Sequence, residues 1–340
     1  MDSNAQDFKQ HVVAIARLTA LTALIFAQLH AQNHLVSAPS KAGVPGVARP
    51  LAELKPDAVI PLPGTPDWIA IGESVWISNY TKNSITRIDP KTNKIAAVLN
   101  VGRGPCSAHT IAFGSLWVPL CGDNKLVRVD PETNKITATI ATTIANSDGT
   151  IAASADSIWL MTDHQGTMVR INASKNTISA TIHITPGSYD VAAGEGAIWV
   201  SNAKENLVTR VDPATNLATA TISVGAGKTP LVIAAGAGGV WTFNQGDGTV
   251  SRIDPATNKV IANIDFGVPG PGGDVSVGGG SVWVGAFGAP LTRIDPRTNR
   301  VVQQYLGAGG DAARYGLGAL WISNFHEHTV WRVNMKKLGN

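Results

Sequence analysis

Gly194-Glu195-Gly196-Ala197-Ile198-Trp199-Val200-Ser201-Asn202, followed by Arg210-Val211-Asp212-Pro213-Ala214-Thr215-Asn216, is one copy of a unit that recurs through the chain. Its tryptophan, always preceded by an aliphatic residue, returns as Trp76, Trp117, Trp159, Trp199, Trp241, Trp283 and Trp321, at spacings of 41, 42, 40, 42, 42 and 38 residues. Ten or eleven residues after each comes an arginine: Arg87, Arg128, Arg170, Arg210, Arg252, Arg293 and Arg332. Asp-Pro-x-Thr-Asn then follows at 89–93, 130–134, 212–216, 254–258 and 295–299, while the third unit carries Asn172-Ala173-Ser174-Lys175-Asn176 and the seventh stops at Asn334. A period near 40 repeated seven times marks a repeat architecture.

Each unit divides into four short runs rich in Val, Ile, Thr and Trp. In the fourth these are Asp190 to Ala193, Ala197 to Ser201, Leu207 to Val211 and Leu217 to Val224. Gly, Asn and Pro bound them, and no helical period competes, so they read as strands. The Asp-Pro-x-Thr-Asn segment is a turn with a mechanism: Asp accepts backbone hydrogen bonds, Pro presets φ near −65°, and Asn tolerates the left-handed region before the next strand. Four strands per repeat, seven times, predict an all-β, single seven-bladed β-propeller of four-stranded antiparallel blades over residues 57–335. The seventh unit runs out of chain after its third strand, and Asp57 to Leu62 matches the fourth-strand pattern, so the N-terminal strand is expected to close the ring. Closure removes open sheet edges.

The composition agrees. Of 340 residues, 44% are apolar, 15% charged and 35 are glycine. That apolar share excludes a disordered polymer, and the glycines lack a collagen triplet. A net charge of +3 without Lys or Arg runs excludes a basic stripe, so no nucleic acid is expected as a partner. Ahead of the repeats, Lys9, His11 and Arg17 precede an apolar run from Leu18 to Leu29, and Ala31 offers a small residue for cleavage. Residues 1–31 therefore read as a signal peptide for a periplasmic or secreted protein, too short for a permanent membrane span. Residues 32–56, rich in Pro, Ala, Gly and Ser, read as a flexible spacer, and 336–340 as a tail.

By the Gly-x-Gly-x-aliphatic-Trp segments and the Arg-(Ile/Val)-Asp-Pro turns, the chain resembles the YVTN-type β-propellers, and among them the streptogramin (virginiamycin B) lyase-like proteins. The resemblance spans the whole expected propeller. It implies a catalytic His at the start of an inner strand, and Ala108-His109-Thr110-Ile111-Ala112 has the matching spacing. It also implies glutamates near Mg²⁺, one of them three residues after a blade Trp; this chain carries Asn79, Leu120, Thr162, Asn202, Asn244, Ala286 and Asn324 there.

The units differ most where the inner strands begin. Asp67-Trp68, Ala108-His109, Gly149-Thr150, Tyr189-Asp190, Leu231-Val232, Gly273-Asp274 and Ala313-Arg314 are aligned on one rim, called the top. Loops between second and third strands add Tyr80, His164 and the triplet His326-Glu327-His328. The expected ligand-binding rim is thus Asp67, Trp68, Tyr80, His164, Tyr189, Asp190 and Asp274, with Trp68 offering a face for stacking. Asp67, Asp190 and Asp274 supply oxygen ligands for a possible Mg²⁺, though from separated blades. The repeated arginines are expected to bond carbonyls or their own turn aspartates.

Cys106 and Cys121 are the chain's two cysteines. With Gly114-Ser115 as the turn, Ile111 pairs with Val118 and both cysteines reach the top rim, so a disulfide is expected in an exported protein. The function expected is a monomeric binding protein for a small molecule, cell-envelope component or protein at the top face. The alternative is a lyase or lactone-opening enzyme with His109 as general base and Arg314 steadying an oxyanion.

Overall fold

A computed structural model describes residues 43–338, apart from 80, 106–107, 147–148 and 271. Tyr80, Cys106 and the expected signal peptide of residues 1–31 lie outside the described residues. The chain builds seven sheets, each with a four-stranded antiparallel core, with almost no helix. In the fourth unit the strands are Ser188–Gly194, Ala197–Asn202, Leu207–Asp212 and Leu217–Ser223. Each inner strand packs beside the next around the ring, the last against the first.

Closure is made by Ala58–Pro61, which pairs antiparallel with Thr329–Asn334, Ala58 opposite Arg332 and Pro61 opposite Thr329. Ile60 packs with Ile69, Val75 and Ile77 of the first blade and Trp321 and Val330 of the seventh. All seven blade tryptophans are essentially inaccessible to solvent. Each joins aliphatic residues of a neighbouring blade, as Trp76 does with Leu116 and Val118. The hydrophobic surface therefore lies between blades, and low charge follows from strands covered on both faces.

The turn chemistry is as expected. Asp89 accepts from the Lys91 N–H at 2.8 Å, Asn93 donates to the Asp89 carbonyl at 2.9 Å, and Asn93 has φ of 56°. In the third unit Asn172 takes the Asp role, its Oδ1 accepting from the Ser174 and Lys175 N–H groups.

The arginines bond carbonyls, as expected, but those of the following blade's turn, and not their own turn aspartates. Each of the seven lies over its own blade's tryptophan, 4.8–5.7 Å from the ring centroid. Most then reach the turn of the following blade: Arg170 donates to Pro213 O at 2.7 Å and Asn216 Oδ1 at 3.2 Å. Arg332 donates to Asn93 Oδ1 at 3.4 Å, joining the seventh blade to the first. The partner is the turn's left-handed Asn one repeat on, because the guanidinium on the tryptophan face points across the blade interface.

Two boundaries and one register are corrected. Residues 43–56, assigned to the spacer, are built into the fold: Ala48–Pro50 pairs in parallel with the outer strand Arg300–Leu306 of the sixth blade. Leu54 is buried there beside Trp283, and the buried amide of Gln304 accepts from Val44 N at 2.8 Å. The tail begins as a helical turn, Met335–Leu338, whose Leu338 buries in the same cluster. In the second blade Ile111 pairs with Leu116, not Val118. Phe113 and Gly114, at φ of 53° and 67°, form the two-residue turn, which needs positive φ at both central positions. Among the described residues no helix is long and apolar enough to cross a membrane.

Candidate functional site

The inner strands enclose a central cavity of about 350 Å³, and most of its exposed wall is polar. Trp68, His109, Asp190 and Arg314 line it. Asp274 is buried and tied to the cavity through Arg314, whose Nη2 donates to Asp274 Oδ2 at 2.5 Å. The same guanidinium lies 4.1 Å from the centroid of Trp68. The Trp68 face expected to receive a ligand thus carries Arg314.

Strand register explains how these residues meet. Arg314 stands opposite Trp321 and Ser276 opposite Trp283, so Arg314 is two residues further along its strand than Asp274, which faces Gly285. The sequence alignment had set Asp274 and Arg314 level; the long arginine side chain spans the offset. His109 is similarly displaced. Thr110 faces Trp117 as Ala192 faces Trp199, so Asp190 is equivalent to Ala108, and His109 occupies the place of Val191. Counting back from each Trp would have revealed both shifts.

His109 is buried, and its Nε2 lies 3.0 Å from the Trp76 carbonyl of the neighbouring blade. A carbonyl only accepts, so the proton sits on Nε2 and Nδ1 is left as an acceptor. That Nδ1 has no hydrogen-bond partner among the described residues. Burial, with Arg314 pressing the same way, pushes the ring down to about 4 against the Trp76 bond. The imidazole is therefore neutral at ordinary pH.

Asp190 is held by the backbone. Its Oδ1 accepts from Val191 N at 2.6 Å and its Oδ2 from Ile233 N of the fifth blade at 2.8 Å. Burial, reinforced by the charge of Asp274, raises its carboxyl well above the usual range; the two N–H bonds and Arg314 oppose this without prevailing. Gly149 makes room for it: at φ of 75°, a Cβ there would stand 1.8 Å from Asp190 Oδ1.

The remaining rim residues lie elsewhere. His164 stacks on Tyr189 with centroids 6.0 Å apart, its ring nitrogens 3.4 and 3.3 Å from the Ser188 and Asn146 carbonyls. Neither they nor Asp67 line the cavity. Of the triplet, His328 Nδ1 pairs with Thr65 Oγ1 at 3.3 Å and His326 packs on Phe287. Sequence reasoning missed Tyr315, which lines the cavity. Its equivalents are Ile71, Ile111, Ala153, Ala193, Ala235 and Val277, so being the single aromatic of that row was the available signal.

The residues do not fit the Mg²⁺ arrangement of the resembled family. Among the described residues no group of three or more His, Cys, Asp or Glu is placed to hold a metal ion. The asparagines at the glutamate positions are engaged in the blades: Asn79 Nδ2 donates to Ser84 Oγ at 2.9 Å, Asn244 Nδ2 to Ser251 Oγ at 2.7 Å, and Asn324 Oδ1 accepts from Gly310 N at 2.9 Å.

No family model matches the chain, and no curated protein matches it. Solved structures do. Virginiamycin B lyase from Staphylococcus aureus is 15% identical with a TM-score of 0.69, over 81% of this chain and 97% of that one. Kuenenia stuttgartiensis hydrazine synthase is 14% identical with a TM-score of 0.68, over 81% and 96%. BamB from Moraxella catarrhalis is 11% identical with a TM-score of 0.60, over 83% and 98%. Proteins so different in name on one scaffold show that the likeness is of fold: the chain has a streptogramin lyase-like seven-bladed propeller fold.

Proposed function

We propose that the chain is an exported binding protein that takes a small molecule into its central channel. The observation that carries this reading is the cavity of about 350 Å³ lined by His109, whose buried Nδ1 has no hydrogen-bond partner among the described residues. That volume lies in the range of small-molecule sites, roughly 300–1,000 Å³. A buried polar atom without a partner carries a desolvation cost that a ligand hydrogen bond relieves. The export pattern of residues 1–31 supports an envelope or extracellular location. A thermal-shift screen of the full chain against polar metabolites tests the reading. At least one compound should stabilise the wild type and lose its effect in both His109→Ala and Arg314→Gln; hits indifferent to both variants would refute a channel site. Sequencing the N-terminus of the envelope fraction, expected to begin at Gln32, tests export.

The fold shared with virginiamycin B lyase favours a second reading, a lyase with His109 as base. Its Nδ1 is available, but a group held at about 4 is a weak base near neutrality, where proton transfer favours a matched value. Incubation with virginiamycin B decides between the two: ring opening abolished by His109→Ala supports the lyase, and no turnover leaves binding.

A further inference from the structure

We propose that the channel ligand is a polyhydroxylated carboxylic acid, its carboxylate on Arg314 and a hydroxyl on His109 Nδ1. The inference rests on the channel-binding reading and adds the ligand's chemical class.

The two side chains offer opposite hydrogen-bonding senses. Arg314 has five N–H donors in a planar fork. Nη2 serves Asp274, while Nε is buried with no partner among the described residues. A planar fork matches a carboxylate, and with Trp68 beneath it the guanidinium is held in orientation before any ligand arrives. His109 Nδ1 is a lone acceptor, so it needs a donor, and a hydroxyl supplies one where a second carboxylate does not. One ligand that satisfies both therefore carries an oxyanion and an O–H.

Three features narrow the class. The polar wall favours further hydroxyls over an alkyl chain. Arg314 is the one cation among the described lining residues and already shares its charge with Asp274, so each further negative charge on a ligand meets more repulsion and a monoanion is opposed less than a polyanion. The volume of about 350 Å³ admits a six-carbon chain.

Calorimetric titration of the full chain with gluconate, sorbitol and hexanoate separates the parts. Sorbitol lacks the carboxylate and hexanoate the hydroxyls. Gluconate should bind at least tenfold more tightly than either. Arg314→Gln should reduce gluconate to the sorbitol level, and His109→Phe should narrow the gluconate-to-hexanoate ratio, with unfolding midpoints confirming that both variants fold. Arg314→Lys, which keeps charge without the fork, should retain part of the binding. Equal binding of the three compounds, or gluconate binding untouched by Arg314→Gln, overturns the class. If gluconate fails while another compound binds in a manner dependent on Arg314 and His109, the class falls and the channel reading stands.

Discussion

Arg252 of the fifth blade donates through Nη1 to Asn299 Oδ1 of the sixth at 2.8 Å, and to Pro296 O at 2.5 Å, while lying 4.8 Å from the centroid of Trp241. One side chain thus joins the core tryptophan of one blade to the left-handed turn of the next. Charge-assisted hydrogen bonds of this kind contribute roughly 1.5–3 kcal/mol. Arg252→Met, which keeps the stem, should destabilise by about 2 kcal/mol. Asn299→Gly keeps the φ of 54° and removes only the acceptor, so it should lose less. A denaturant double-mutant cycle should give a coupling of about 1 kcal/mol; additive losses would mean the contact contributes nothing.

Ring closure makes a second prediction, using two neighbours on one strand. Ile60 is 4% exposed in the core between the seventh and first blades, and Val59 is 50% exposed on the other face. Ile60→Ala should cost about 2–4 kcal/mol and Val59→Ala less than about 0.5. Equal effects would show that the closing strand is held by its backbone ladder alone.

Blade number, strand division and turn conformations were legible because they repeat: seven tryptophans and six turns with Asn93-like geometry state one local rule over and over. The closing strand was legible from what the last unit lacks. The parallel strand Ala48–Pro50 was not, since Pro, Ala and Gly carry no pairing signal. Its trace lies in the partner. Gln304 is buried where other blades place Val98, Thr139, Thr181, Thr221 or Asn263, and its Oε1 accepts from Val44 N while Nε2 donates to Phe266 O. At the site the residue types were legible, but aligning polar positions with one another misplaced the ladder offsets, which only the constant spacing back from each blade Trp recovers.

Gly149 and Gly196 separate backbone strain from contact. Both have positive φ, 75° and 78°, but a Cβ on Gly149 meets Asp190 while one on Gly196 meets nothing within 4 Å. Gly196→Ala should therefore cost about 1 kcal/mol, the left-handed penalty alone. Gly149→Ala should cost at least about 2 kcal/mol more and weaken channel ligands by displacing Asp190. If the two alanines are equivalent, Asp190 is free to move and does not hold the fourth and fifth blades together.

Protonation of His109 should appear as a pH-dependent stability. The folded ring sits at about 4 against an ordinary 6.5, so between those values the unfolded chain binds more protons. Stability then rises with pH, and acidification from 6.5 towards 4 should remove on the order of 3 kcal/mol. Asp190 acts oppositely: its raised folded value makes its contribution fall as pH rises from 3.8 through that value. Comparing wild type with His109→Gln cancels the Asp190 share, and the difference should grow only above pH 4. A ring proton of His109 titrating near 6.5 by NMR would rule this out.

We propose that Cys106 is bridged to Cys121, and the cycle of cysteine variants tests it. Cys121 N donates to Gly104 O at 2.8 Å, holding the two segments together. Closing a loop of about 15 residues stabilises by about 3 kcal/mol in the chain-entropy account. Cys106→Ala, Cys121→Ala and the double variant should each lose that amount, because the second deletion removes nothing further. Thiol titration of the unreduced wild type should find no free thiol. Losses that add across the two sites, or two reactive thiols in the protein recovered from the envelope, mean that the cysteines act as separate thiols and that the rim beside His109 is held by the hairpin alone.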